Sequence, residues 1–201
     1  MKPPHLLALA LLLPLLVGSC SSILKPVKDT SIHHLLEPLV PERSVTGAAP
    51  AIAIARPSLP SYLDRQQLVA RSGDGELKMN PYHLWAEPLD AAISRITATN
   101  LRRLTNSLNI QPVENFVTLD YQWILEIRVA RFEPDATGLV VLEATWKLQP
   151  IAGGVAPTRQ FTTSVWVPEP VSPDTANPRT GQAAAMNDAL AQFAADIARA
   201  L

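Results

Sequence analysis

Cysteine is nearly absent: Cys20 is the only one in 201 residues. That excludes an intramolecular disulfide and a zinc site built from several thiolates. Several chemical signatures are missing too. There is no G-x-S-x-G elbow to present a nucleophilic serine, no P-loop and no G-x-G-x-x-G dinucleotide turn. Neither sign of charge is in excess, because 17 Lys and Arg against 18 Asp and Glu give a net −1. With no basic patch or arginine-rich run, nucleic acid is not an expected partner. Histidine is scarce, at four residues, and His5 sits in the N-terminal apolar segment. His33 and His34 are adjacent in a predicted strand, so their side chains point to opposite faces and cannot chelate one ion together. His83 lies in a predicted loop beside Trp85 and reads as a surface residue. No metal and no cofactor is expected. No second apolar run approaches 18 residues, so nothing after the first 20 residues is expected to span a membrane.

What is present begins at the N-terminus. Lys2 gives a small positive region, residues 6–16 an apolar stretch broken by Pro14, and small residues then lead to Cys20. This is the anatomy of a secretion signal, too short for an ordinary spanning helix. Val17-Gly18-Ser19-Cys20 resembles the lipobox of bacterial lipoproteins. The resemblance implies cleavage before Cys20 and lipid attachment to its sulfur. The competing readings are an ordinary signal peptide with a chance cysteine, or an uncleaved anchor. Lipidation would also cap a lone thiol in an oxidising compartment. In the lipoprotein pattern the next residue influences sorting. Ser21, in place of the Asp that favours inner-membrane retention, points to the inner leaflet of the outer membrane, with the domain facing the periplasm. The expected organisation is a signal peptide at 1–19, a lipidated N-terminus and tether at 20–31, and one domain at 32–201. Roughly 180 residues remain after cleavage, enough for one sizeable core.

The 19 prolines fall between periodic segments and punctuate them. Residues 32–40 read as a first strand and residues 51–55, bounded by Pro50 and Pro57, as a short buried strand. Residues 67–71 and 76–80 flank Ser72-Gly73-Asp74-Gly75 as a β-hairpin, and residues 81–87 follow as a loop. Pro88 opens an amphipathic helix whose stripe is Leu89, Ile93, Ile96, Leu101, Leu104 and Leu108. Strict alternation in residues 121–132 places Tyr121, Trp123, Leu125, Ile127 and Val129 on a core face. Residues 139–148 repeat the pattern after a loop at 133–138, and residues 159–167 supply a third strand. Trp123, Trp146 and Trp166 read as packing residues. A last helix at 181–201 carries the stripe Met186, Leu190, Phe193, Ile197 and Leu201. The predicted class is α+β, a largely antiparallel sheet with two amphipathic helices packed on one face.

Candidate contact residues are few. Tyr62, Leu63, Asp64 and Arg65 sit on a proline-stiffened turn that is either a contact surface or a core-plugging turn with an Asp–Arg pair. Trp85 is either an interface ring or a buried fastener between hairpin and helix. Glu87 and Asp90 could form a general acid/base pair, but acidic residues are also expected in the first helical turn. The structural reading is the stronger one, and no catalytic residue is expected.

Three features together resemble a known family: the lipobox, the segment Pro60-Ser61-Tyr62-Leu63-Asp64-Arg65-Gln66-Gln67-Leu68-Val69, and Leu84-Trp85-Ala86-Glu87-Pro88-Leu89 leading into the long helix. The chain is similar to the ABC-type transport auxiliary lipoproteins, the PqiC/YmbA-like proteins, over nearly the whole mature domain. The resemblance implies a non-enzymatic outer-membrane lipoprotein. It would serve as adaptor to a periplasmic MCE-domain protein in an ABC-linked lipid transport system that maintains envelope integrity. It is compatible with a homo-oligomeric ring, although the sequence itself shows none. The rival expectations are a lipid-binding module carrying a hydrophobic ligand, a periplasmic hydrolase and a helper for an outer-membrane β-barrel.

Overall fold

Short strands alternate with two long helices. The order is β1 (Ile32–His34), β2 (Ile52–Ile54), β3 (Gln67–Arg71), β4 (Leu77–Trp85), α1 (Leu89–Thr105), β5 (Ile110–Pro112), β6 (Trp123–Pro134), β7 (Leu139–Pro150), β8 (Arg159–Trp166) and α2 (Pro178–Ala198). These elements come from a computed structural model, which describes residues 29–114, 120–168 and 178–201. The leader, Cys20 and most of the expected tether lie outside the described residues. Residues 31–201 form one unit.

The α+β class is as expected, but the sheets are mixed rather than largely antiparallel. One sheet has the order β5-β2-β6-β7-β8 and the other β1-β4-β3. β2 lies between β5 and β6 and runs parallel to both, with Ile52 opposite Ile110 on one side and Trp123 on the other. β1 runs parallel to β4. Parallel neighbours need long connections. An isolated three-residue apolar run carries no signal of its direction, whereas the hairpins β3–β4 and β6–β7 do.

The β6–β7 ladder forms the middle of the larger sheet. Leu125, Ile127 and Val129 are buried while Glu126 and Arg128 are exposed. A bulge then interrupts the register between Val129 and Arg131. The extra residue flips the phase, so Phe132, opposite Leu142, takes over the core face and Glu133 turns to the other side. The strand runs on to Pro134, two residues into the predicted loop.

Both helices pack against each other, and α2 lies across β7 and β8. Leu89, Ile93, Ile96 and Leu101 of α1, with Met186, Leu190, Phe193 and Ile197 of α2, are buried. The Phe193 ring meets Phe161 of β8 at 5.1 Å between centroids. Leu104, Leu108 and Leu201 leave the predicted stripes and are exposed. For Leu108 the reason is local: Asn106 adopts a left-handed conformation (φ 56°) and caps α1, so the chain turns away before Leu108. Trp166, predicted to pack, is 64 % exposed on the edge strand β8.

Two further differences involve the N-terminal segment. β1 stops at His34 instead of continuing to Val40, because helix side chains take over its backbone partners. Asn187 Oδ1 accepts from the Glu37 N–H at 2.9 Å, Arg95 donates to the Leu36 carbonyl at 2.8 Å, and Arg103 donates to the Val40 carbonyl at 2.7 Å. β4 in turn extends through the predicted 81–87 loop to Trp85, since its second half pairs with β1. Where this N-terminal segment passes the α1 cap, Gly47 is required. A Cβ there would lie 2.2 Å from the Asn106 carbonyl oxygen, a backbone atom. Gly47→Ala is therefore expected to destabilise the domain by about 1–3 kcal/mol through overpacking. Urea unfolding reads this directly, and an unchanged midpoint would contradict it.

Candidate functional site

Residues 60–65 form a tight turn, with the Leu63 N–H bonded to the Pro60 carbonyl at 2.9 Å. The turn sends consecutive side chains in different directions. Leu63 drops into the core at 2 % exposure. Tyr62 reaches across to β6, where its hydroxyl donates to Glu133 Oε2 at 3.0 Å. The Glu133 side chain is fully buried and collects three more donors. These are Arg71 at 2.8 Å, Arg131 at 3.1 Å and the Phe132 N–H at 3.0 Å. A carboxylate can be buried at low cost only when it is paired and hydrogen-bonded in this way. Sequence analysis missed Glu133 because residues 133–138 read as a loop, whereas β6 runs on to Pro134.

Burial of Tyr62, with Glu133 beside it, pushes its hydroxyl up from 10.0 to about 12. The folded state thus favours the protonated phenol. That contribution is fully present below pH 10 and is lost as pH rises from 10 towards 12. In an ultraviolet alkaline titration one of the three tyrosines is expected to ionise last, and Tyr62→Phe should remove that late step. Titration of all three tyrosines near pH 10 would contradict the arrangement.

Beside the turn opens a cleft of about 210 Å³, lined by Asp64, Arg65, Gln66, Trp85, Glu87 and Pro88 among others. It brings together four of the six residues singled out from the sequence, while Tyr62 and Leu63 hold the turn from behind. Trp85 is 7 % exposed, so it is the buried fastener rather than an interface ring. Its backbone N–H bonds the Gln66 carbonyl at 2.6 Å. Glu87 is held by the guanidinium of Arg95, and Asp90 by Arg56 at 2.5 Å. With each carboxylate held by its own arginine, the pair reads as two structural ion pairs. Arg65 differs. Its Nη1 faces only the Met79 sulfur, at 2.7 Å, and its buried Nε has no partner among the described residues.

His83 belongs to β4, not to a loop, and is not an isolated surface residue. Its Nδ1 lies 2.8 Å from Nε2 of His34, which is buried. The ring centroids are 5.1 Å apart, about the N···N distance plus the two ring radii, so the rings meet edge to edge through this hydrogen bond. His33 points the other way, as adjacent strand residues must. Among the described residues no three histidine, cysteine or acidic side chains gather as a metal site. Four further clefts, of about 190–380 Å³, each include at least one charged side chain. None of them has the enclosed apolar lining that a hydrophobic ligand would need.

The domain is thus an α+β fold in which the carboxylates of Glu87 and Asp90 are each paired with an arginine. Residues 34–198 match the family model of the ABC-type transport auxiliary lipoprotein component, and the chain belongs to that family. Membership makes it a membrane-anchored lipoprotein of a transport system. Among the described residues, no helix is long and apolar enough to cross a membrane. Two crystal structures share the fold. One, of an uncharacterized protein, is 20% identical, with 85% of this chain and 97% of that one covered at a TM-score of 0.65. The other, from Xanthomonas campestris, is 19% identical, with 84% and 93% covered at 0.64. The PelC dodecamer of Paraburkholderia phytofirmans is more distant, at 15% identity, 75% and 91% coverage and a TM-score of 0.41. No curated protein matches the chain.

Proposed function

We propose that this protein is moored through lipidated Cys20 to the inner leaflet of the outer membrane. There it acts as a non-catalytic adaptor, docking a periplasmic MCE-domain protein of an ABC-linked lipid transport system. The observation that carries the proposal is the family match over residues 34–198 in a chain that also has a lipobox ending at Cys20. Tethering turns docking into an effectively intramolecular event, so a modest contact affinity suffices. The cleft at Asp64, Arg65 and Glu87 is the proposed contact. Arg65 has no oxygen acceptor for its terminal guanidinium nitrogens among the described residues. An acceptor oxygen on a partner would complete it.

The test is a pull-down of the intact lipidated protein from its native envelope, with partners identified. An MCE-domain protein is expected, and its capture should fall about tenfold or more with Arg65→Ala, in line with the loss of one charge-assisted hydrogen bond. Capture of a different transport component, or none, would contradict the proposed partnership. Equal capture by the variant would move the contact elsewhere.

A further inference from the structure

The outer face of the β1–β4 pair carries an apolar stripe that no function above uses. Paired residues in a sheet share a face and neighbours alternate. His33 is opposite Leu84, which puts both on the face turned away from buried His34 and Trp85. Two residues back along β4, Tyr82 is on the same face, 59 % exposed. Burial keeps alternating beyond β1, with Leu36 buried while Leu35 (47 %) and Leu39 (50 %) are exposed. Single exposed apolar residues are ordinary, but a contiguous run of them marks a contact.

We infer that this stripe is a membrane-resting face, seated on the lipid headgroup boundary. This rests on the anchoring of Cys20 proposed above. The occupant is argued from where the chain enters the domain. Residues 20–31 connect the lipidated cysteine directly to the start of β1. Twelve residues reach no further than about 40 Å even when fully extended. The β1 end of the domain is thus held near the bilayer at all times, at a local concentration on the order of millimolar. An aromatic ring with a polar tip, flanked by leucines, is the composition that partitions to that boundary. The amines of Lys25 and Lys28, within the connector, add attraction to anionic lipid.

The experiment uses the lipidated full chain in vesicles of phosphatidylethanolamine and phosphatidylglycerol. Once Cys20 carries lipid there is no other thiol, so Tyr82→Cys gives a unique site for a fluorescent label, and Thr162→Cys on β8 gives a reference. Headgroup spin-labelled lipid is expected to quench the Tyr82 label severalfold more than the Thr162 label. Adding Leu35→Glu should reduce quenching at Tyr82 to the reference level while the protein still floats with the vesicles. Flotation with equal quenching at the two sites would overturn the resting face and leave the anchor intact. Failure to float would overturn the anchor, and this inference with it.

Discussion

Cys20→Ala is expected to shift the protein completely out of the outer-membrane fraction while leaving its fold unchanged. A lipidated cysteine buries acyl chains at about 0.8 kcal/mol per methylene, and two or more chains together give stable anchoring. Nothing among the described residues replaces it. No helix among the described residues can cross a membrane, and an exposed apolar stripe gives only weak contact. Among the described residues the core begins well after Cys20. Its first buried members are His34 and Leu36, more than a dozen residues later. Fractionation paired with a thermal melt separates the two effects. A variant that still fractionates with outer membranes would contradict the anchor, and a lowered melting temperature would show that Cys20 has a structural role.

Glu133→Ala is expected to be the most destabilising single change at the Tyr62 turn, by about 3 kcal/mol or more. The substitution leaves Arg71 and Arg131 without their carboxylate, the Phe132 N–H without its side-chain acceptor and the Tyr62 hydroxyl with only the Ala130 carbonyl at 3.4 Å. Partly buried charges stripped of a partner lose far more than a solvent-exposed ion pair would. Tyr62→Phe removes only one neutral donor and should lose about 1 kcal/mol. Urea unfolding of both variants and of the double variant measures the coupling. Because the two side chains touch, the losses should not add. A Glu133→Ala loss below about 1 kcal/mol would mean the buried carboxylate is not what fastens the turn.

The helices, the β6–β7 hairpin and the buried β2 were legible because periodicity is strong where one face is packed. In α1 the stripe from Leu89 to Leu101 is real. It fails at Leu104 and Leu108, where the cap ends the helix and hydrophobic spacing alone gives no warning. Strand direction was illegible for β1 and β2, since three residues do not state what they pair with. Glu133 was hidden because Pro134, Asp135 and Gly138 made residues 133–138 read as a loop, whereas β6 continues to Pro134. The structure brings Asp64, Arg65, Trp85 and Glu87 to one cleft, whereas the sequence singled them out on two separate segments. The sequence left open whether Trp85 faced water, and the pairing of β4 with β1 decides that by burying the ring. The His34–His83 hydrogen bond was beyond reach, because it joins residues 49 positions apart across a parallel pair that the sequence did not announce.

Mass spectrometry of the protein purified from its native host addresses the anchor most directly. The expected species begins at Cys20, lacks residues 1–19 and carries acyl chains through that sulfur. A free thiol at Cys20, or a chain that still retains its leader, would contradict the account.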